Sequence, residues 1–241
     1  MTMASQHQIA LDKSITPIRM STYLNAANGD RDKARELYLW DRDLAVAFLA
    51  DLAILEVALR NAMAQQLEIK WGHDWYSNLA LPLDDRTLKA LNLAWKQIKD
   101  PQKTSGKLIA QCTFGFWRRL LDKGDYYGIE PRRVRCDYEI LWRGVLDKAF
   151  PGGRQQARKD QQRWNREYAL SIVGRVNDLR NRVAHHEPLI NGIPLNGQKV
   201  RVSAQQLHED TMRLAAMLDR DLHSFLAARS KVPAVLKNRP V

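Results

Sequence analysis

Two cysteines in 241 residues are too few for a disulfide-stapled scaffold. Cys112 and Cys136 lie 24 positions apart, without a CxxC pair or histidines at ligand spacing. That argues against a structural zinc site and fits a reducing compartment, with Cys112 packing as a small apolar residue. Long apolar runs are also missing. Nothing approaches the roughly 18–20 residues of a membrane span, and the polar beginning lacks the apolar core of a secretory signal. The expectation is a cytoplasmic protein with no membrane contact. There is no internal repeat and no low-complexity tract, and strand-like alternation is scarce. Acidic side chains are in deficit, at 27 against 38 lysines and arginines, for a net charge of +11.

Hydrophobic residues at 45% and charged residues at 27% are a globular balance, in a chain long enough to bury a substantial core. The positive charge is unevenly spread. Residues 102–182 hold 18 lysines and arginines against 9 aspartates and glutamates, which supplies +9 of the +11. Arg118-Arg119, Arg132-Arg133-Arg135 and the group Arg154, Arg158, Lys159, Arg163 and Arg166 make up its clusters. Such a surface favours a polyanion through counterion release. The same charge also serves as a solvated face, or meets acidic protein or lipid headgroups.

Helical periodicity runs through almost the whole chain. Thr16-Pro17 is a capping residue followed by proline at the first helical position, and that segment stops at Asn28-Gly29. From Asp30 a second helical stretch runs to Trp71-Gly72, with a break expected near Trp40-Asp41. Phe48, Leu52, Leu55, Leu59, Met63 and Leu67 recur along it every three or four residues. Further helices are expected at 84–99, 105–122, 137–149, 155–186 and 203–228. The turn dipeptides Asn191-Gly192 and Asn196-Gly197 suggest one small hairpin at 189–202. The reading is a single all-α domain over 15–228, with a flexible N-terminus (1–14) and a basic flexible tail (229–241).

The richest string is Asp178–Pro188, DLRNRVAHHEP. It places arginines, an amide and two histidines at a helix end, which suits phosphodiester chemistry. A guanidinium is a fixed cation for phosphate, and an imidazole titrates near neutral pH. At 100° per residue, Ile172, Val176, Leu179 and Val183 form the buried stripe. Asp178, Asn181 and His185 fall opposite, Gly174 beside them, and Arg180 on the flank. Pro188 ends the helix near His186. His186 projects toward the core side, where a packed histidine bonded to a backbone carbonyl is expected. The polar face with its glycine is either wet or meets another helix. Against a second copy, a twofold axis would gather two Arg180/His185 pairs.

These residues resemble a known family. Arg180-Asn181-Arg182-Val183-Ala184-His185 matches the Arg-x4–6-His motif of HEPN domains. Five ordered segments across about residues 15–190 resemble its Abi-like (abortive infection) branch: RMSTYL at 19–24, LYLWDRDLAVAFLADLAILEVALRNAM at 37–63, GKLIAQCTFGFWRRLL at 106–121, YEILWRGVLDKAFPG at 138–152 and DLRNRVAHHEPL at 178–189. The resemblance implies a HEPN-like helical bundle with additional helices that dimerises through its motif helix. It also implies cofactor-free and metal-independent endoribonuclease chemistry. The ribose 2′-OH attacks the adjacent phosphate to leave a 2′,3′-cyclic phosphate and a 5′-OH. His185 would then be the general acid/base, Arg180 would stabilise the phosphorane, and Asn181 would orient either group. Relatives of this kind act as toxins in phage defence, checked by a protein or RNA antitoxin. Two departures stand out. Glu187 occupies a position where many such toxins carry a tyrosine, and His186 gives an equally legal Arg-x5-His reading. Residues 190–241 match the pattern less well.

Glu56 and Arg60 form an i,i+4 pair on the long helix, read either as a surface ion pair or as support for Arg180 or His185. Glu187 joins them as a supporting candidate. Arg118, Arg119, Arg163 and Arg182 are candidate RNA contacts. Trp117 is read as core, with base stacking as the alternative. Two further functions stay open: an RNA-binding or sensing module without catalysis, and a dimerising interaction module.

Overall fold

A computed structural model describes residues 3–194 and 200–240, with side chains from residue 7 onward. The fold is all-α, with two small antiparallel strand pairs. It divides into two compact units, one of residues 1–50, 181–208 and 230–241 and the other of 51–180 and 209–229. No helix among the described residues is long and apolar enough to cross a membrane.

In the first unit, α1 (Met3–Ser14) and α2 (Pro17–Ala26) precede the long α3 (Arg31–Trp71). Thr16 caps α2 by accepting from the Arg19 amide, with Pro17 at the first helical position. The expected break at Trp40-Asp41 does not occur, and α3 runs unbroken for 41 residues. Asp41 stays in the helix because its carboxylate is buried and fully engaged: the Tyr23 hydroxyl donates to it at 2.7 Å and the Leu189 amide at 3.0 and 3.2 Å. The apolar recurrence from Phe48 to Leu67 is buried as its spacing requires.

The described residues at both ends form helices. The N-terminal segment is helical, and Asp12 accepts from Arg35 at 2.6 Å. At the other end, α12 (Val232–Lys237) buries Val232 and accepts, through Val235 O, a 2.7 Å hydrogen bond from Trp40 Nε1. Arg239 lies over the Trp40 ring at 5.4 Å. The hairpin expected at 189–202 is present as β3 (Ile193–Pro194) against β4 (Arg201–Val202). Gly192 turns into it with φ +67°. The second turn dipeptide, Asn196-Gly197, lies outside the described residues.

The second unit is built from shorter pieces. Asp84 caps α4 (Asp85–Gln97). The helix expected over 105–122 is two, α5 (Ser105–Gln111) and α6 (Phe114–Arg119), because Thr113 caps the second one instead of continuing the first. A hairpin that the sequence did not suggest pairs β1 (Tyr126–Tyr127) with β2 (Val134–Arg135). After the short α7 (Glu139–Trp142) and a 3₁₀ turn at Leu146–Ala149, α8 (Gly153–Lys159) and α9 (Arg166–Ala184) divide the expected 155–186 helix. Gly153 lets Trp164 cross it, since a β-carbon there would lie 2.2 Å from the indole. The 203–228 segment is α10 (Ala204–Leu218) followed by α11 (Arg220–Arg229).

Candidate functional site

The motif begins in the second unit. Helix α9 buries Ile172, Val176 and Leu179 and leaves Arg180 on the flank. The Arg180 Nε donates to Glu56 Oε2 at 3.2 Å, with the two side chains 34% and 22% exposed. Glu56 therefore serves Arg180 and not Arg60, its partner by sequence spacing. Only one of the guanidinium's five N–H donors is used, and Arg180 makes no other hydrogen bond among the described residues. Arg60 is half-buried, and its Nε has no partner among the described residues.

The remainder of the motif belongs to the first unit. There the chain leaves the helix through a left-handed cap. The His185 amide still donates to Asn181 O at 2.9 Å, after which His186 donates to Val183 O at 3.1 Å and Glu187 to Arg182 O at 2.9 Å. Those last two bonds, with His186 at φ +55°, satisfy carbonyls that a helix end otherwise strands. Glycine usually fills this position, so a histidine there holds a conformation its β-carbon disfavours. His186 is exposed as a result, not packed toward the core. The 100° projection fails one residue past the helix, where φ changes sign. Asn181 and His185 are exposed, as their helix face requires.

Arg182 and Glu187 brace this cap. Arg182 donates to Pro188 O at 3.1 Å and pairs with Glu187 at 3.1 Å, with its side chain 19% exposed. Arg182 is thus placed to hold the turn. The other candidate cations lie in the second unit. Arg118 folds over Gly174, where an added β-carbon would lie 3.7 Å from its Nε. Gly174 therefore faces its own chain. Arg119 donates to Arg86 O at 3.2 Å, and burial pulls its pKa down. Arg163 is exposed and lines a polar pocket of about 430 Å³ with Asp160, Tyr168 and Arg175. Trp117 is buried, which removes it as a stacking platform. Burial likewise raises the Cys112 thiol to about 12, so it stays a protonated core residue.

Two features went unread in the sequence. The first is the 126–135 hairpin, where Tyr126, Tyr127, Arg132, Arg133 and Arg135 are all exposed and Arg133 lies over the Tyr126 ring at 4.4 Å. Its arginine cluster was visible, but the tyrosines facing it become neighbours only through strand pairing. The second is a pocket of about 210 Å³ in the first unit that includes His186 and Glu187. Among the described residues, no group of three or more His, Cys, Asp or Glu is placed to hold a metal ion. Comparison with protein-family models, curated proteins and solved structures gives no match.

Proposed function

We propose that the chain is an endoribonuclease of the HEPN type, of the Abi-like branch, that cuts RNA without a divalent metal. Arg180, Asn181 and His185 carry the reaction. The ribose 2′-OH attacks phosphorus and the bond to the 5′-oxygen breaks, leaving a 2′,3′-cyclic phosphate and a 5′-OH. His185 moves the proton between the two oxygens, and Arg180 balances charge on the phosphorane. Asn181 orients the imidazole or the phosphate. Glu56 is a positioning residue that fixes Arg180 by its Nε.

The observation that carries this reading is the division of labour among the motif's charged groups. Arg182 and Glu187 are spent on each other at the helix end, while Asn181 and His185 are left exposed and Arg180 keeps donors in reserve. A purely structural helix terminus has no need of an arginine clamped from a helix more than a hundred residues earlier. The protein acts in the cytoplasm as a homodimer, as a toxin in abortive infection or phage defence that an antitoxin restrains. The arginines of the 126–135 hairpin and Arg163 add affinity for the RNA backbone.

The test incubates the purified chain with total RNA in EDTA and identifies the fragment ends. Cleavage leaving 2′,3′-cyclic phosphates, abolished by Arg180→Ala and by His185→Ala, is the expected result. Salt-sensitive RNA binding without products at any protein concentration would make it a non-catalytic RNA-binding module. Absence of both would leave only an interaction role.

A further inference from the structure

We infer that the first-unit pocket at the motif's end is a subsite for a single nucleobase of the RNA strand, with rim cations for the attached phosphate. The pocket encloses about 210 Å³. That is below the roughly 300–1,000 Å³ of a site for a drug-sized ligand, so it admits one ring system and leaves a ribose phosphate outside. Its apolar wall comes from α3, where Ala45, Val46 and Leu49 lie within one helical turn, and Val46 and Leu49 are 61% and 49% exposed. Tyr38, half-buried and edge-on to Tyr23 at 5.2 Å, supplies an aromatic surface. Bases stack on such rings with little regard to sequence.

The rim carries two arginines, and its acids have partners of their own. Arg19, Arg42 and His186 line it, against Asp41 and Glu187. Asp41 is buried and engaged by the Tyr23 hydroxyl and the Leu189 amide. Glu187 is paired with Arg182. Among the described residues Arg42 is bound only to its neighbour Asp43, and both side chains are more than half exposed. Such a surface pair exchanges readily for a phosphate. The left-handed backbone at His186 turns its imidazole out to the rim instead of the core, and conformations of this kind persist where surrounding structure holds them. The choice of ligand rests on the RNA chemistry proposed above, because the pocket alone specifies only a flat ring with an anionic substituent.

The experiment uses the full chain and equilibrium dialysis with adenosine and cytidine 5′-monophosphates and with inorganic phosphate. At least one mononucleotide is expected to bind ten-fold or more tightly than phosphate. Tyr38→Ala should weaken it about ten-fold. Val46→Trp, at a position exposed enough to keep the fold, should block it, and circular dichroism checks that both variants are folded. His185→Ala should retain binding while losing cleavage. Phosphate binding as tightly as the nucleotides, or no binding at all, overturns the inference. So does a Val46→Trp variant that changes oligomeric mass yet binds nucleotide unchanged, because the pocket would then meet a second copy. Mononucleotide binding that Tyr38→Ala weakens, in a chain that cuts no RNA, would refute the nuclease and uphold the subsite.

Discussion

Replacing Asp41 with alanine removes the acceptor that joins α2, α3 and the chain leaving the motif. The carboxylate is 4% exposed and receives the Tyr23 hydroxyl at 2.7 Å and the Leu189 amide at 3.0 Å. Alanine strands both buried donors, at about 1–3 kcal/mol each. Against that loss of about 2–6 kcal/mol stands relief from burying a carboxylate, so the net destabilisation expected is about 2–4 kcal/mol. The effect should also be local. Leu189 is the first residue after the proline that follows the histidines, so its amide should lose protection from hydrogen exchange.

Asparagine at the same position separates charge from hydrogen bonding. Burial, the largest influence on Asp41, raises its carboxyl above the ordinary carboxylate range, and the Tyr23 and Leu189 bonds pull it back only partly. The folded chain therefore holds a proton that the unfolded chain has released at the same pH. Native protein binds more protons between the ordinary aspartate value of about 3.9 and the raised one, so stability falls as pH rises through that window. Asp41→Asn has no such proton and should lack this part of the slope, gaining on wild type as pH climbs and levelling off above the raised value. Urea unfolding at closely spaced pH values reads the slope, and amide exchange at Leu189 reads the latch. Asp41→Ala within about 0.5 kcal/mol of wild type with Leu189 still protected would refute this reasoning. An unchanged pH slope in Asp41→Asn would refute its electrostatic half.

Glu56→Ala should cost about 0.5 kcal/mol or less, since the pair with Arg180 is partly exposed. It should nonetheless lower kcat for RNA cleavage with little change in KM, and an unchanged kcat would reduce Glu56 to a surface partner. His186→Gly should raise stability by about 0.5–1 kcal/mol, measured by urea unfolding, because glycine suits the left-handed cap. Cleavage should survive that substitution, and its loss would move the general acid/base from His185 to His186. Gly192→Ala should cost about 2–4 kcal/mol by the same measurement, because φ is +67° there and the new β-carbon would lie 2.2 Å from Val202 O. A near-neutral result would show the β3–β4 turn yielding without loss.

Much of the fold was legible because local rules decided it. The Thr16-Pro17 start, the Asp84 cap and the apolar recurrence along α3 follow from neighbours one to four residues apart. What was illegible involved distant partners or a change of backbone sign. Asp41 reads as a helix interruption until Tyr23 and Leu189 are beside it. Glu56 has one partner by sequence spacing, Arg60, and takes another 124 residues away. His186 follows the helical projection only as far as the helix goes.

Charge was the least legible property, because counting cannot separate a cation held in the fold from one offered to a ligand. Arg166 is 7% exposed and is bound by Glu139 and Leu121 O. Arg175 and Arg213 converge on the buried carboxylate of Asp210, and Arg213 reaches Asp160 as well. Truncating Asp210 would strand Arg175 and leave Arg213 to Asp160 alone, so these arginines serve their own unit. Arg166 and Arg175 thus count toward the basic field of residues 102–182 while their charge is committed to carboxylates of their own unit. Exposed cations that do remain for a polyanion include Arg132, Arg133 and Arg135 on the hairpin, Arg154, Arg158 and Lys159 on α8, and Arg163. The salt dependence of RNA binding should therefore track the hairpin and α8 arginines and pass over Arg166, Arg175 and Arg213, whose loss should register as unfolding.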